Sequence, residues 1–148
     1  MTSDRSGWTQ EDLREVQELL LRAVLRGEML PGSRDLTAFP DLRFVMDQPE
    51  IVLSDENLAG RLGVEDAPRP VRVAPRSELL ERGGQEDRVY LRFGPPQSTG
   101  DTVMITLEAR IVSGDPGRHA LGLGGIQVRF QRVGSSWQVV QPPEAFAT

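Results

Sequence analysis

The chain has 148 residues, a net charge of −5, 38% apolar residues, no cysteine and one histidine. That length suits one domain over 1–148, with flexible tails expected at 1–8 and 142–148. The lack of cysteine excludes disulfides, thiol nucleophiles and cysteine-ligated zinc or iron–sulfur sites, and a single histidine leaves little for a transition metal; no metal site and no cofactor are expected.

No run approaches the roughly 20 apolar residues of a membrane span. The opening "MTSDRSGWTQEDLREVQ" lacks the basic and then apolar order of a secretory signal, so a cytoplasmic protein without membrane contact is expected. Acids outnumber arginines ten to six in residues 1–50, and the balance approaches zero toward the carboxyl end. That distribution has no basic footprint, which argues against a nucleic-acid partner. All 17 basic residues are arginine. Such a bias suits bidentate anion recognition, but a GC-rich genome is its commoner cause.

The first predicted element is a helix with marked ends. Thr9 is the expected N-cap, Asp12 closes a shortened capping box three residues on, and Trp8 and Leu13 occupy the staple positions. The helix therefore begins near Gln10. Leu13, Val16, Leu20, Ala23 and Val24 recur at helical spacing, and Gly27 provides the left-handed cap. Leu19, Leu21 and Leu25 widen the stripe beyond one face, which suits burial in the chain's own core, with a partner-binding helix as the alternative.

Residues 28–50 mix Pro and Gly with Leu36, Phe39, Leu42, Phe44, Val45 and Met46, too apolar for a free linker. A short helix is expected around 41–46 and a brief strand at Ile51 to Leu53. Ser54 is placed to cap a helical turn through "DENLAGRLG". "VRVA", 71–74, reads as a strand, and "PRSELLERGG" as a helix with proline at its start and glycine at its end. The packing of residues 28–70 stays open.

The second half alternates strongly. Strands are predicted at 88–94, 101–112, 119–132 and 136–141, with "PPQSTG", "SGDPG" and "GSS" as turns, so the expected fold class is α+β: an amino-terminal helix packed on a curved, four-stranded antiparallel meander, with short accessory strands and helices before it. Apolar positions are odd up to Leu123 and even from Ile126. A strand keeps one apolar face through such a parity change only if it contains an extra residue, so a β-bulge is expected at Gly124 and Gly125. A dinucleotide cradle needs glycines that lead into a helix, and here a strand follows.

Matching apolar residues across strands sets Phe93 opposite Val103, Leu91 opposite Ile105, Ile105 opposite Val128, and Val103 opposite Phe130. The other face then carries the rows Arg92–Met104–Arg129 and Tyr90–Thr106–Gln127, with Arg88 opposite Glu108. Tyr90, Arg92, Met104, Thr106, Gln127 and Arg129 form the candidate interface, because Tyr, Met and Arg are enriched at interface cores.

"VYLRFG", "GDTVMITLEARIV", "GGIQVRF" and "SSWQVV" together resemble the second half of a group of small bacterial proteins of NTF2-like, or cystatin-like α+β cone, type, over residues 70–141. The resemblance implies helices first, then a curved antiparallel sheet around one long helix. Proteins of that type include enzymes, dimeric transport adaptors and binding proteins; the enzymes work between sheet and helix through an inward Asp, Glu, His or Tyr. The inward strand positions here contain no titratable residue, and Asp12, Glu18 and Glu78 are the nearest helical acids. His119, four residues after Asp115, reads either as a base with its orienter or, preferably, as an exposed turn residue. Trp137, opposite Arg132, reads as an aromatic cover on the sheet end with a stacked guanidinium.

The leading expectation is a non-catalytic cytoplasmic accessory or protein-interaction module, binding a protein partner or a second copy of itself. The alternative is a small-molecule binder or enzyme with an apolar pocket. A lined cavity with converging polar groups would favour the second, and a filled interior with an outer apolar or arginine-rich patch the first.

Overall fold

The computed structural model describes residues 8–33, 45–65, 67–75, 77–78, 88–112, 121–140 and 144–146. Among the described residues, the helix α1 (Gln10–Arg26) packs on one face of a mostly antiparallel sheet, so the class is α+β. The strands are β1 (Ile51–Ser54), β2 (Val71–Ala74), β3 (Arg88–Phe93), β4 (Gln97–Thr99), β5 (Thr102–Val112), β6 (Leu121–Val133), β7 (Ser136–Val139) and β8 (Glu144–Phe146).

The ends of α1 are made by side chains that compete well for free backbone groups. The Thr9 hydroxyl accepts from the Asp12 N–H at 3.1 Å, and the Asp12 carboxylate accepts from the Thr9 N–H at 3.0 Å. Gly27, at φ 65°, closes the other end. Val16, Leu20, Leu21 and Val24 are fully buried against the sheet. Full burial of one such leucine removes apolar area worth about 1.5–3 kcal/mol. Trp8 is not part of a loose tail: it is buried, and its ring stacks on Trp137 with centroids 4.7 Å apart.

The sheet order is β2, β1, β3, β5, β6, β7, with β4 on the β3 side of β5 and β8 beside β6. β1 runs parallel to both β2 and β3; the other pairings are antiparallel. The inward positions carry Val89, Leu91, Phe93, Val103, Ile105, Leu107, Ala109, Ile126, Val128, Phe130 and Val139, all buried in one cluster with the α1 leucines. β1 lies in a buried stretch, and Gln48 extends the edge it offers to β3: its amide donates to the Val89 carbonyl and accepts from the Val89 N–H.

Several expectations change. "PPQSTG" is not a single turn; its last part is strand β4, joined to β5 by a two-residue loop in which Gly100 has a φ of 62°. β3 therefore pairs farther along β5. Phe93 faces Leu107, Leu91 faces Ala109, and Arg88 faces Val112, a slip of four residues from the expected match. The predicted partners Ile105 with Val128 and Val103 with Phe130 are the observed ones. Ser54 caps no helix; its hydroxyl accepts from the Glu56 N–H in a tight turn. Within the segment expected to fray, residues 144–146 pair with β6 as β8. The helix expected at 41–46 is described only at 45–46, and the one after Pro75 only at 77–78.

In β6 the register shifts where Ala109 faces Gly124 but Arg110 faces Gly122. The extra residue is thus Leu123, just before the pair expected to form the bulge. Gly124 has a φ of 141°, a region that favours glycine. Gly125 is fixed by proximity: a Cβ there would overlap the Leu107 carbonyl oxygen and lie 2.8 Å from both the Glu108 Cα and a Phe146 ring carbon.

Candidate interaction surface

Even-numbered residues of β5 point away from α1, and burial alternates along the strand, with Val103, Ile105, Leu107 and Ala109 buried and Met104, Thr106, Glu108 and Arg110 half-buried. This alternation is what a strand with one face on a core and one toward water produces. The register places Met104 beside Gln97 and Arg129, Thr106 beside Gln127, and Glu108 beside Arg92 and Gly125. β8 extends the same rows, with Glu144 facing Gln127 and Phe146 facing Gly125.

The six expected interface residues all lie on this outer face, but they divide into two groups. Tyr90 is only 3% exposed and belongs to a second small apolar cluster with Val52 and Ala74. Arg92 is tied to Glu108 at 2.7 Å and to Glu56 at 3.2 Å. The slip in β3 register takes Arg92 out of the Met104 row and Tyr90 out of the Thr106 row. Met104, Thr106, Gln127 and Arg129 stay together on adjacent rows of β5 and β6.

Glu108 is the residue that sequence reasoning undervalued. It accepts from Arg92 and, at 2.9 Å, from Arg110. Burial disfavours the charge on Arg110, but hydrogen bonding and Coulombic attraction to Glu108, with Tyr90 contributing, hold its pKa above the ordinary arginine value. Toward β2, Arg72 is likewise raised by its hydrogen bond to Glu50, with Glu78 adding to it. These guanidiniums are committed to internal carboxylates. A sequence signal for Glu108 existed, since any β3 register with matched parity brings an arginine or tyrosine beside it.

The candidate acids are engaged elsewhere. Asp12 serves the helix cap and also pairs with Arg132. Glu18 accepts from Arg14 and from the Gly63 N–H. Glu78 binds Arg72. His119 and Asp115 lie outside the described residues, and among the described residues no group of three His, Cys, Asp or Glu is placed to hold a metal ion. Arg132 does lie over the Trp137 ring, 4.6 Å from its centroid, while the Trp137 indole N–H donates to Glu15 at 2.8 Å.

Two surface depressions lie away from the outer face. One, of about 530 Å³, runs beside β1 and β2 and is lined by Leu53, Leu62, Val71 and Val73 with Arg61 and Arg69. The other, about 330 Å³, lies between α1 and β7 and includes Leu19, Pro31 and Trp137. No helix among the described residues is long and apolar enough to cross a membrane. Comparison of the chain with known protein families, with curated proteins and with solved structures finds no match.

Proposed function

We propose that the chain is a non-catalytic protein-interaction module of the cytoplasm, and that it works through the outer face of β5 and β6. The observation that carries this reading is the division of that face. Around Glu108 the charged side chains form ion pairs with one another, whereas Met104, Thr106, Gln127 and Arg129 form a half-exposed patch on long paired strands whose polar groups make no side-chain hydrogen bond to a described residue. A patch that mixes Met and Arg, held on long paired strands and backed by a buried apolar core, has the composition of an interface core. The NTF2-like plan is part of the same proposal; one helix laid on long antiparallel strands supports it.

Introducing charge at the centre of the patch tests the reading. Met104→Glu should fold with an unchanged melting temperature, because the side chain lies on the solvent side of β5, and should lose any partner that the native chain retains from lysate or any self-association seen by sedimentation. Retention and sedimentation identical in native and variant protein would contradict it.

A second reading rests on the depression beside β1 and β2, whose apolar floor, with two arginines against one carboxylate, Glu65, suits a small amphipathic acid. Saturable displacement of an apolar fluorescent probe by such acids, lost in Leu62→Glu, would support it; unsaturable binding would remove it.

A further inference from the structure

Arg129 differs from the other arginines of the outer face. Arg92 and Arg110 share Glu108, and Arg72 holds Glu50 and Glu78. The Arg129 Nε, like that of Arg92, is buried without a hydrogen-bond partner among the described residues, but unlike Arg92 the Arg129 guanidinium forms no ion pair with a described residue. A half-exposed guanidinium with no described carboxylate beside it favours an acceptor supplied from outside, which its terminal nitrogens can reach. Its neighbours match that need. Gln127 is two residues away on the same face of β6, about 7 Å along the strand, and Thr106 faces Gln127 from β5. Both carry side-chain donors that bond to no described residue. Met104, directly opposite Arg129, and exposed Val140, whose N–H donates to the Arg129 carbonyl, give the guanidinium an apolar border.

We propose that Arg129, with Gln127 and Thr106 beside it, recognises a carboxylate on a protein partner, presented by an acidic side chain that has apolar neighbours. The inference rests on the interaction-surface reading and names the chemistry of its partner. Charge complementarity selects the acid, since Glu108 is already shared by two arginines and no described acid forms an ion pair with Arg129. The open, strand-built surface and the apolar border select an extended peptide segment over a free small anion. Glu144 is the competing internal acid. It faces Gln127 across β6 and β8, one row from Arg129, and makes no ion pair with it in the structure.

The probes are three blocked tripeptides, acetyl-Leu-Glu-Leu-amide, its Gln counterpart and its Lys counterpart, titrated into the full chain while the Arg129 Nε–H and the Met104 methyl are followed by NMR. The Glu peptide should shift both signals saturably, at least tenfold more tightly than the Gln or Lys peptides, and Arg129→Gln should weaken its effect on the Met104 methyl at least tenfold. Equal binding of all three peptides would leave the interaction surface standing and overturn carboxylate recognition. Absence of any saturable shift would overturn it as well. An Arg129 Nε–H signal that moves in Glu144→Gln without peptide assigns the acid to Glu144, and one that moves with protein concentration assigns it to a second copy; either result overturns the proposal.

Discussion

Gly124 and Gly125 look alike in the sequence and are needed for different reasons. Gly124→Ala should cost about 1–3 kcal/mol through its positive φ. Gly125→Val should cost more, on the order of 3–4 kcal/mol, because its side chain would press on the β5 backbone and on the Phe146 ring. Urea denaturation of both variants checks the order; equal losses would contradict it. The parity change in the apolar pattern made an irregular strand legible, since one face must stay dry. The pattern could not show which residue is extra, because either glycine satisfies the count. Gln17 was not legible at all. It sits on the apolar stripe of α1, fully buried, with its amide donating to the Asn57 carbonyl at 2.7 Å and accepting from the Ala59 N–H at 2.9 Å. Gln17→Leu should therefore destabilise by about 2–3 kcal/mol although it increases apolar content, because two backbone groups of the 57–59 segment lose their partners.

Among the elements, α1 was the most legible because its ends are set by local chemistry, from Thr9 and Asp12 to Gly27. Its docking depends on distant residues. The carboxylate of Asp12 that closes the cap also holds Arg132, whose guanidinium lies over Trp137, which in turn stacks on Trp8 and bonds Glu15. Thr9→Ala should cost about 1 kcal/mol, the ordinary value of a lost cap. Asp12→Ala should cost more than Thr9→Ala in the same thermal melts, and Arg132→Ala should reduce the difference. One exposed pair on α1 gives a pH signature. Hydrogen bonding to Arg14 lowers the Glu11 pKa below 4.5. A depressed carboxylate contributes above its unfolded pKa and loses that contribution as pH falls through the folded value. Glu11 should thus titrate below pH 4.5 by NMR and return toward 4.5 in Arg14→Ala. The β3 register was misjudged for a different reason: a slip of four residues keeps every side chain on its own face, so hydrophobic alternation is blind to it. Only β4, hidden in a stretch rich in Pro, Gly and Ser, distinguishes the two registers.

At the scale of the molecule, periodicity made the class and the inner face readable, because burial against α1 demands apolar residues at fixed spacing. The outer face carries no such demand. Its residues could be named from parity, but their division into an ion-paired group around Glu108 and a group around Arg129 without an ion pair to a described residue follows from register and from the contact with Glu56, which lies far away in the chain. The parallel strands β1 and β2 were identified as short strands, yet their place in the sheet rests on long-range pairing with no local signal. The role proposed for the patch around Met104 and Arg129 is contact with another protein. Methionine methyl NMR tests it most directly, because Met29, 54% exposed and outside the patch, is a built-in control. With the full chain labelled at methionine methyls and placed in lysate from its own cells, the Met104 signal should shift or broaden while Met29 keeps its free-state position and width. A Met104 signal unchanged from that of the purified protein, or equal broadening of Met104 and Met29, would contradict that role.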